Sequence, residues 1–146
     1  MKFTGHFTGA KLDLEAYKRL MQTYLDDKLR EGAKAWLAGT TGRVPVWSGM
    51  SRASLLELTG LVGGKIVISP RVASRIPEGE QLGTAVQKDF IITVTTAVPH
   101  YTLQEYTNVG VSGSAPWHSL KAGADAYREN VKDVRLPRPK IQPVKI

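Results

Sequence analysis

The chain has 146 residues, which suits one domain, and its 42% hydrophobic and 23% charged residues give an ordinary globular balance that excludes a wholly disordered or fibrous protein. Twenty basic residues against thirteen acidic ones leave a net charge of +7, concentrated at the C-terminal end: residues 121–146 carry +4, whereas 81–120 carry −1. The absence of cysteine excludes a disulfide framework, a thiolate zinc site and a cysteine nucleophile together.

Met1 to His6 has one lysine and no apolar stretch behind it, so it does not read as a secretory signal, and residues 1–11 read as an N-terminal arm. From Leu14 to Leu37 the apolar positions Leu14, Tyr17, Leu20, Met21, Tyr24, Leu25, Leu29, Ala33, Trp36 and Leu37 recur every three or four residues. That spacing predicts a helix of about 25 residues, or about 37 Å, with Asp13 as its N-cap and Gly39 as its stop. Residues 40–46 then read as a linker, since Pro45 pushes Val44 towards extended backbone.

A second helix is expected from an N-cap at Ser48, with Leu55, Leu56, Leu58 and Leu61 on its apolar side and Gly63-Gly64 at its end. Lys65 to Ser69 reads as a short strand, and 70–88 as a long connection of the kind that is functional or disordered. Asp89 to Val98 alternates, with Phe90, Ile92, Val94, Thr96 and Val98 on one face, and is expected as a central or near-central strand. The uncharged stretch 90–103 contains threonines, Pro99 and His100 and is too short and polar for a bilayer of about 30 Å.

Tyr101 to Tyr106 fits a helical turn or a strand end equally well. Asn108 to Pro116 reads as a loop, followed by a last helix over Pro116–Val134 in which Trp117, Leu120, Ala124, Tyr127 and Val131 recur on one side. Residues 135–146 hold three prolines, which forbid a helix and favour an extended basic arm. The expected fold class is therefore α+β: a long N-terminal helix and a C-terminal helix on a small, mainly antiparallel sheet, within a single domain of residues 1–134.

Chemistry finds little support. His6, His100 and His118 form neither His-x-x-x-His nor His-Glu-x-x-His, so no metal site is assigned. Ser119 adjoins His118, but neighbours on a helix point about 100° apart and no glycine-flanked elbow is present. Gly110 and Gly113 complete no phosphate-binding loop, and Asp26-Asp27, flanked by Lys28 and Arg30, reads as a solvated face. No catalytic or cofactor-binding residue is assigned.

The arm is the exception. Arg135, Arg138, Lys140 and Lys145 have no intervening acid, but Leu136, Ile141, Val144 and Ile146 are interleaved where base stacking would need aromatics. An arm that docks on protein is favoured over one that contacts nucleic acid. Arg71 and Arg75 in the long connection are further candidate partner contacts.

Val44-Pro45-Val46-Trp47-Ser48-Gly49-Met50-Ser51-Arg52-Ala53-Ser54 resembles the Val-Pro-Val-x-Thr-Gly-x-Leu-Arg-x-Ser signature of the tail-completion, or head–tail joining, proteins of long-tailed bacteriophages, with Ser48 in place of threonine and Ser51 in place of leucine. Two later segments agree in order: Tyr101 to Tyr106 resembles the family's Tyr-Ala-x-Tyr-x-Glu stretch, and Ala115-Pro116-Trp117 its Pro-Phe before a terminal helix. The resemblance spans about residues 12–134 and implies fold-maintaining roles for Pro45, Ser48, Gly49, Arg52, Ser54, Tyr101, Pro116 and Trp117. Tyr101 and Trp117 are expected in the core, and Glu105 either pairs with a base or caps a backbone turn.

The family implies a non-enzymatic virion protein, assembled in the host cytoplasm, that forms a ring at the neck. The ring is expected to be a hexamer, since tails in that family commonly have sixfold symmetry, and to join the head connector or stopper to the tail tube with DNA passing its lumen and no membrane contact. The rival reading is a small basic nucleic-acid-binding domain. A hydrolase has no constellation behind it.

Overall fold

A computed structural model of the chain describes residues 8–44, 49–68, 80–106 and 116–145. The order is β1 (Thr8–Leu12), α1 (Leu14–Arg43), α2 (Met50–Ala53), α3 (Leu56–Val62), β2 (Gly83–Lys88), β3 (Ile91–Thr96), α4 (Pro99–Tyr106), α5 (Ser119–Val131) and β4 (Ile141–Lys145). The protein is α+β, with two separate two-stranded antiparallel ribbons, β1–β4 and β2–β3.

Asp13 caps α1 as its position suggests, its Oδ1 accepting from the Ala16 N–H at 2.9 Å. The helix does not stop at Gly39. It runs through to Arg43, 30 residues or about 45 Å, and its last backbone bond is Val44 N–H to Thr40 O at 3.2 Å. Gly39 serves a contact instead: a Cβ there would lie 2.6 Å from the Ala122 carbonyl oxygen and 2.8 Å from the Ala126 Cβ, because α5 crosses α1 at this point. Gly123 on α5 is the counterpart, facing Trp36 and Thr40.

The second helix is broken in two, and its expected N-cap, Ser48, lies outside the described residues. The residue preceding α2 is Gly49, at φ 70°, a left-handed conformation that suits glycine. Ser54 Oγ donates to the Ser51 carbonyl at 2.8 Å, the local bonding that competes with helix, and Leu55 turns at φ −96°, ψ 1° before α3 begins. The break lets Ala53, Leu55 and Leu58 all face inward. Gly63, at φ 67°, ends α3 as expected.

Residues 64–68 form no strand; Ser69 lies outside the described residues. Ile66 and Ile68 nevertheless pack on the core while Lys65 and Val67 are exposed, so the alternation reported facing and not pairing. The expected connection over 70–88 is corrected at its end, since 83–88 is strand β2; residues 70–79, with Arg71 and Arg75, lie outside the described residues. β2 and β3 make a hairpin whose two-residue turn is Asp89-Phe90, with Asp89 at φ 52°. β3 is thus half of a ribbon and not a central strand, although Ile92, Val94 and Thr96 do face inward.

Tyr101 to Tyr106 belongs to a helix, and α5 begins three residues later than expected, after His118 in a left-handed conformation at φ 49°. The loop expected over 108–116 lies outside the described residues up to 115. The C-terminal arm is extended but not detached. Tyr24 Oη donates to the Arg135 carbonyl at 2.6 Å and Tyr17 Oη to the Pro137 carbonyl at 3.2 Å, which leads the arm back along α1. Its last strand pairs with the N-terminal one, Thr8 opposite Lys145 and Leu12 opposite Ile141, so the two expected arms are one ribbon. Pro143, opposite Ala10, is tolerated because every strand of a two-stranded ribbon is an edge.

Two buried clusters lie along α1. Ala33, Leu37, Leu55, Leu58 and Val62 form the first, under the β2–β3 ribbon; Val44, Ala53, Leu82, Val98 and Tyr101 form the second, at the C-terminal end of the helix. Arg30 Nη1 donates to the Leu61 carbonyl at 2.8 Å, and Gln87 Nε2 to Asp26 Oδ1, which ties α3 and the hairpin to α1. Asp26, paired also with Arg30, is therefore a bridging residue and not simply part of a solvated face.

Two glycine substitutions test this packing. Gly60→Ala, in α3 with nothing within 4 Å of an added Cβ, should stabilise by about 0.5–1 kcal/mol through helix propensity. Gly39→Ala has the same propensity gain but drives a methyl into backbone, and should lose about 1–3 kcal/mol in urea unfolding. Equal effects at the two sites would exclude the close crossing.

Candidate functional site

Described residues of the three motif segments lie around one buried junction. Arg52 Nε donates to the Val44 carbonyl at 2.9 Å, linking α2 to the end of α1. Gly49, Ser51 and Ser54 are buried, and Ala53 belongs to the same cluster as Tyr101. Trp117, which packs against that cluster, meets Tyr101 edge to face, with ring centroids 5.9 Å apart and planes at 81°. Pro116 is half-buried beside it. Pro45 and Ser48 lie outside the described residues.

Glu105 caps a helix. It is 1% exposed, and its Oε2 accepts from the Ser119 N–H at 2.9 Å and the Ser119 hydroxyl at 2.5 Å, while Oε1 accepts from the Leu120 N–H at 2.7 Å. Two of the four orphan amides at the start of α5 are thereby satisfied by a carboxylate from α4, where a negative group is favoured by the helix dipole. Trp117 N–H donates to the Gln104 carbonyl at 3.0 Å, holding the same junction. Tyr101 Oη shares a 3.0 Å hydrogen bond with Ser119 Oγ, and burial, the largest influence, holds its phenol above the usual tyrosine range. The hydrogen bond to Ser119 acts the other way, and the nearby Glu105 reinforces burial.

Ser119, the serine beside His118, gives its hydroxyl to Glu105, and His118 is exposed. A pair that sequence spacing did not single out, Ser51 Oγ and His100 Nε2, stands 3.4 Å apart. Ser51 is only 2% exposed, and among the described residues no carboxylate orients the other ring nitrogen, so the geometry of an activated nucleophile is incomplete. No group of three metal-ligating side chains occurs among the described residues, and none of their helices is long and apolar enough to cross a membrane. A cavity of about 320 Å³ between Trp36, Leu55, Val94 and Tyr101 touches Glu105, whose bonds are all directed to α5.

The arm supplies the open surface. Leu136 is 59% and Ile141 64% exposed, and Arg135, Arg138 and Lys140 are exposed with no carboxylate partner among the described residues. Val144 sits opposite Gly9 in the ribbon, and Ile146 lies outside the described residues. A second open surface surrounds the hairpin tip. Phe90 and Ile91 project there above two adjoining grooves of about 450 Å³ each, which share Leu29, Phe90 and Tyr127. No family model, curated protein or solved structure matches the chain.

The Glu105 cap sets two expectations. Glu105→Ala should cost about 2–4 kcal/mol in urea unfolding, since it orphans two amides and a hydroxyl in a buried site. A loss under about 0.5 kcal/mol would remove the cap from the fold's foundations. Tyr101 acts at high pH: its raised folded value means that its contribution is fully present below the unfolded value of about 10 and is lost as pH rises through the folded one. Thermal unfolding should therefore show an alkaline decline above pH 10 that is shallower in Tyr101→Phe.

Proposed function

We propose that the protein is a non-enzymatic assembly subunit that joins with copies of itself into a ring at the neck of a long-tailed bacteriophage, between the head connector or stopper and the tail tube. The observation that carries this reading is the convergence of Gly49, Arg52, Ser54, Tyr101, Glu105 and Trp117, separated by up to 68 positions, around one buried junction. Motifs that resemble the tail-completion family in order alone thus share a physical task, holding α2, α4 and α5 against the end of α1. Glu105 and Ser119 direct their hydrogen bonds to that task.

The exposed apolar side chains of the arm and hairpin tip supply contact surface, and a heterologous contact between unlike faces closes a ring when its rotation divides a full turn. A ring of six, assembled in the host cytoplasm and retained in the virion, accommodates the cations of the arm near a DNA-filled lumen.

The nucleic-acid-binding alternative rests on Arg135, Arg138 and Lys140, all exposed and unpaired among the described residues. Aromatic side chains are absent from 135–146, which argues against base stacking. Electron cryomicroscopy of the virion neck is expected to show sixfold density that accepts a bundle of α1 and α5 with the attached hairpin. A neck without such density, together with DNA binding by the purified chain that falls steeply with log salt, would transfer the assignment to nucleic acid.

A further inference from the structure

We propose that the C-terminal arm of one copy docks into the shallow groove between α3 and the start of β2 on a second copy, an end-to-end contact. The proposal rests on the ring reading for its closure into a cycle and names the two surfaces that would meet.

The arm needs a partner on physical grounds. A two-stranded ribbon is marginally stable at best in water and is normally completed by a further strand or by packing on a helix. Among the described residues, β1 and β4 contact chiefly each other. Leu136, ahead of β4, and Ile141, its first residue, expose more than half of their surfaces, and the intervening Arg138 and Lys140 have no carboxylate partner among the described residues. Exposed apolar side chains alternating with cations call for an apolar surface flanked by acids.

One groove has that composition. Its floor is Ala53, Leu82 and Gly83, with Leu56 standing 43% exposed at its edge, and its rim carries Glu57 and Glu80. Both carboxylates are exposed and form no ion pair among the described residues. The larger grooves beside Phe90 suit the arm less well, since no carboxylate lines either of them and Lys28 lines one.

The occupant is a second copy because the arm cannot reach this groove within its own chain. The arm lies along the N-terminal part of α1, held at Tyr24 and Tyr17, and Ile141 pairs with Leu12 just beyond the helix start. The groove belongs to the opposite end, where Ala53 packs with Val44. Tyr17 and Val44 are 27 positions apart along α1 and its cap, which places about 40 Å between them. Two complementary surfaces at opposite ends of one molecule generate a head-to-tail, heterologous contact.

A charge exchange tests this on the full chain. Sedimentation velocity at low salt compares the wild type with an arm variant, Arg138→Glu with Lys140→Glu, and a groove variant, Glu57→Lys with Glu80→Lys. All four positions are exposed, so circular dichroism should be unchanged. Each variant alone is expected to self-associate at least about tenfold more weakly than the wild type, with like charges opposed at every contact.

An equimolar mixture of the two variants restores opposite charges at every alternating contact and should return to within about threefold of wild-type association. A mixture no stronger than its components overturns the proposal, as does a wild type that stays monomeric at millimolar concentration. Because the chain has no cysteine, Lys140→Cys mixed with Gln81→Cys gives a second reading: an intermolecular disulfide is expected, whereas bonding of Lys140→Cys to Ile91→Cys would place the arm in the hairpin groove instead. Sixfold neck density without the Lys140–Gln81 crosslink would keep the ring and discard this contact. Rescue by the mixture with no neck density would keep the contact and discard the neck.

Discussion

Trp36, Gly39 and Thr40 lie near the C-terminal end of α1, and α5 can approach them closely only because Gly123 presents no side chain there. Gly39 accepts the backbone of Ala122 from the other side of the crossing, and Gly32 lies against the ring of Tyr127. Close packing of this kind gains dispersion contacts along the crossing from Gly32 to Thr40 but tolerates no added methyl group. It also buries the hydroxyl of Thr40, which has no hydrogen-bond partner among the described residues. With α5 set in this position, the start of α5 must lie over the end of α1, where α2 and α4 complete the second buried cluster.

That start is where the polar economy of the fold concentrates. A helix whose first amides are buried needs acceptors, and the carboxylate of Glu105 supplies two of them from a different helix. Ser119 links the same carboxylate to the phenol of Tyr101, which in turn packs on Trp117. Glu105 is therefore a fastening between α4 and α5. Surfaces outside this junction, the arm and the hairpin tip, hold the exposed apolar groups that suit assembly.

The elements most legible in the sequence were those specified by near neighbours. The heptad-like recurrence from Leu14 to Leu37, the Asp13 cap and the Gly63 stop are each settled within a few residues, and each is present. The inward face of Ile92, Val94 and Thr96 was equally readable. By contrast, β2 gave only a weak alternation of Ala85 and Gln87 against Thr84, Val86 and Lys88, and a turn built on Asp89-Phe90 lacks the glycine that usually marks a hairpin. Lys65 to Ile68 alternated more clearly yet forms no strand, because alternation records which side chains are buried, here Ile66 and Ile68, and not whether the backbone finds a partner.

The amino-acid sequence by itself determined the α+β class, the long first helix, the last helix and the extended proline-rich end, since periodicity, caps and proline geometry act over a few bonds. Tertiary structure alone decided that Gly39 is a contact and not a stop, that Glu105 caps α5 instead of meeting a base, and that the chain's two ends form one ribbon. Each of those outcomes depends on a partner distant in sequence: Ala122 for Gly39, Ser119 and Leu120 for Glu105, and the strand from Thr8 for the arm. A glycine or a carboxylate has several competent local uses, and only the group that packing brings against it selects one.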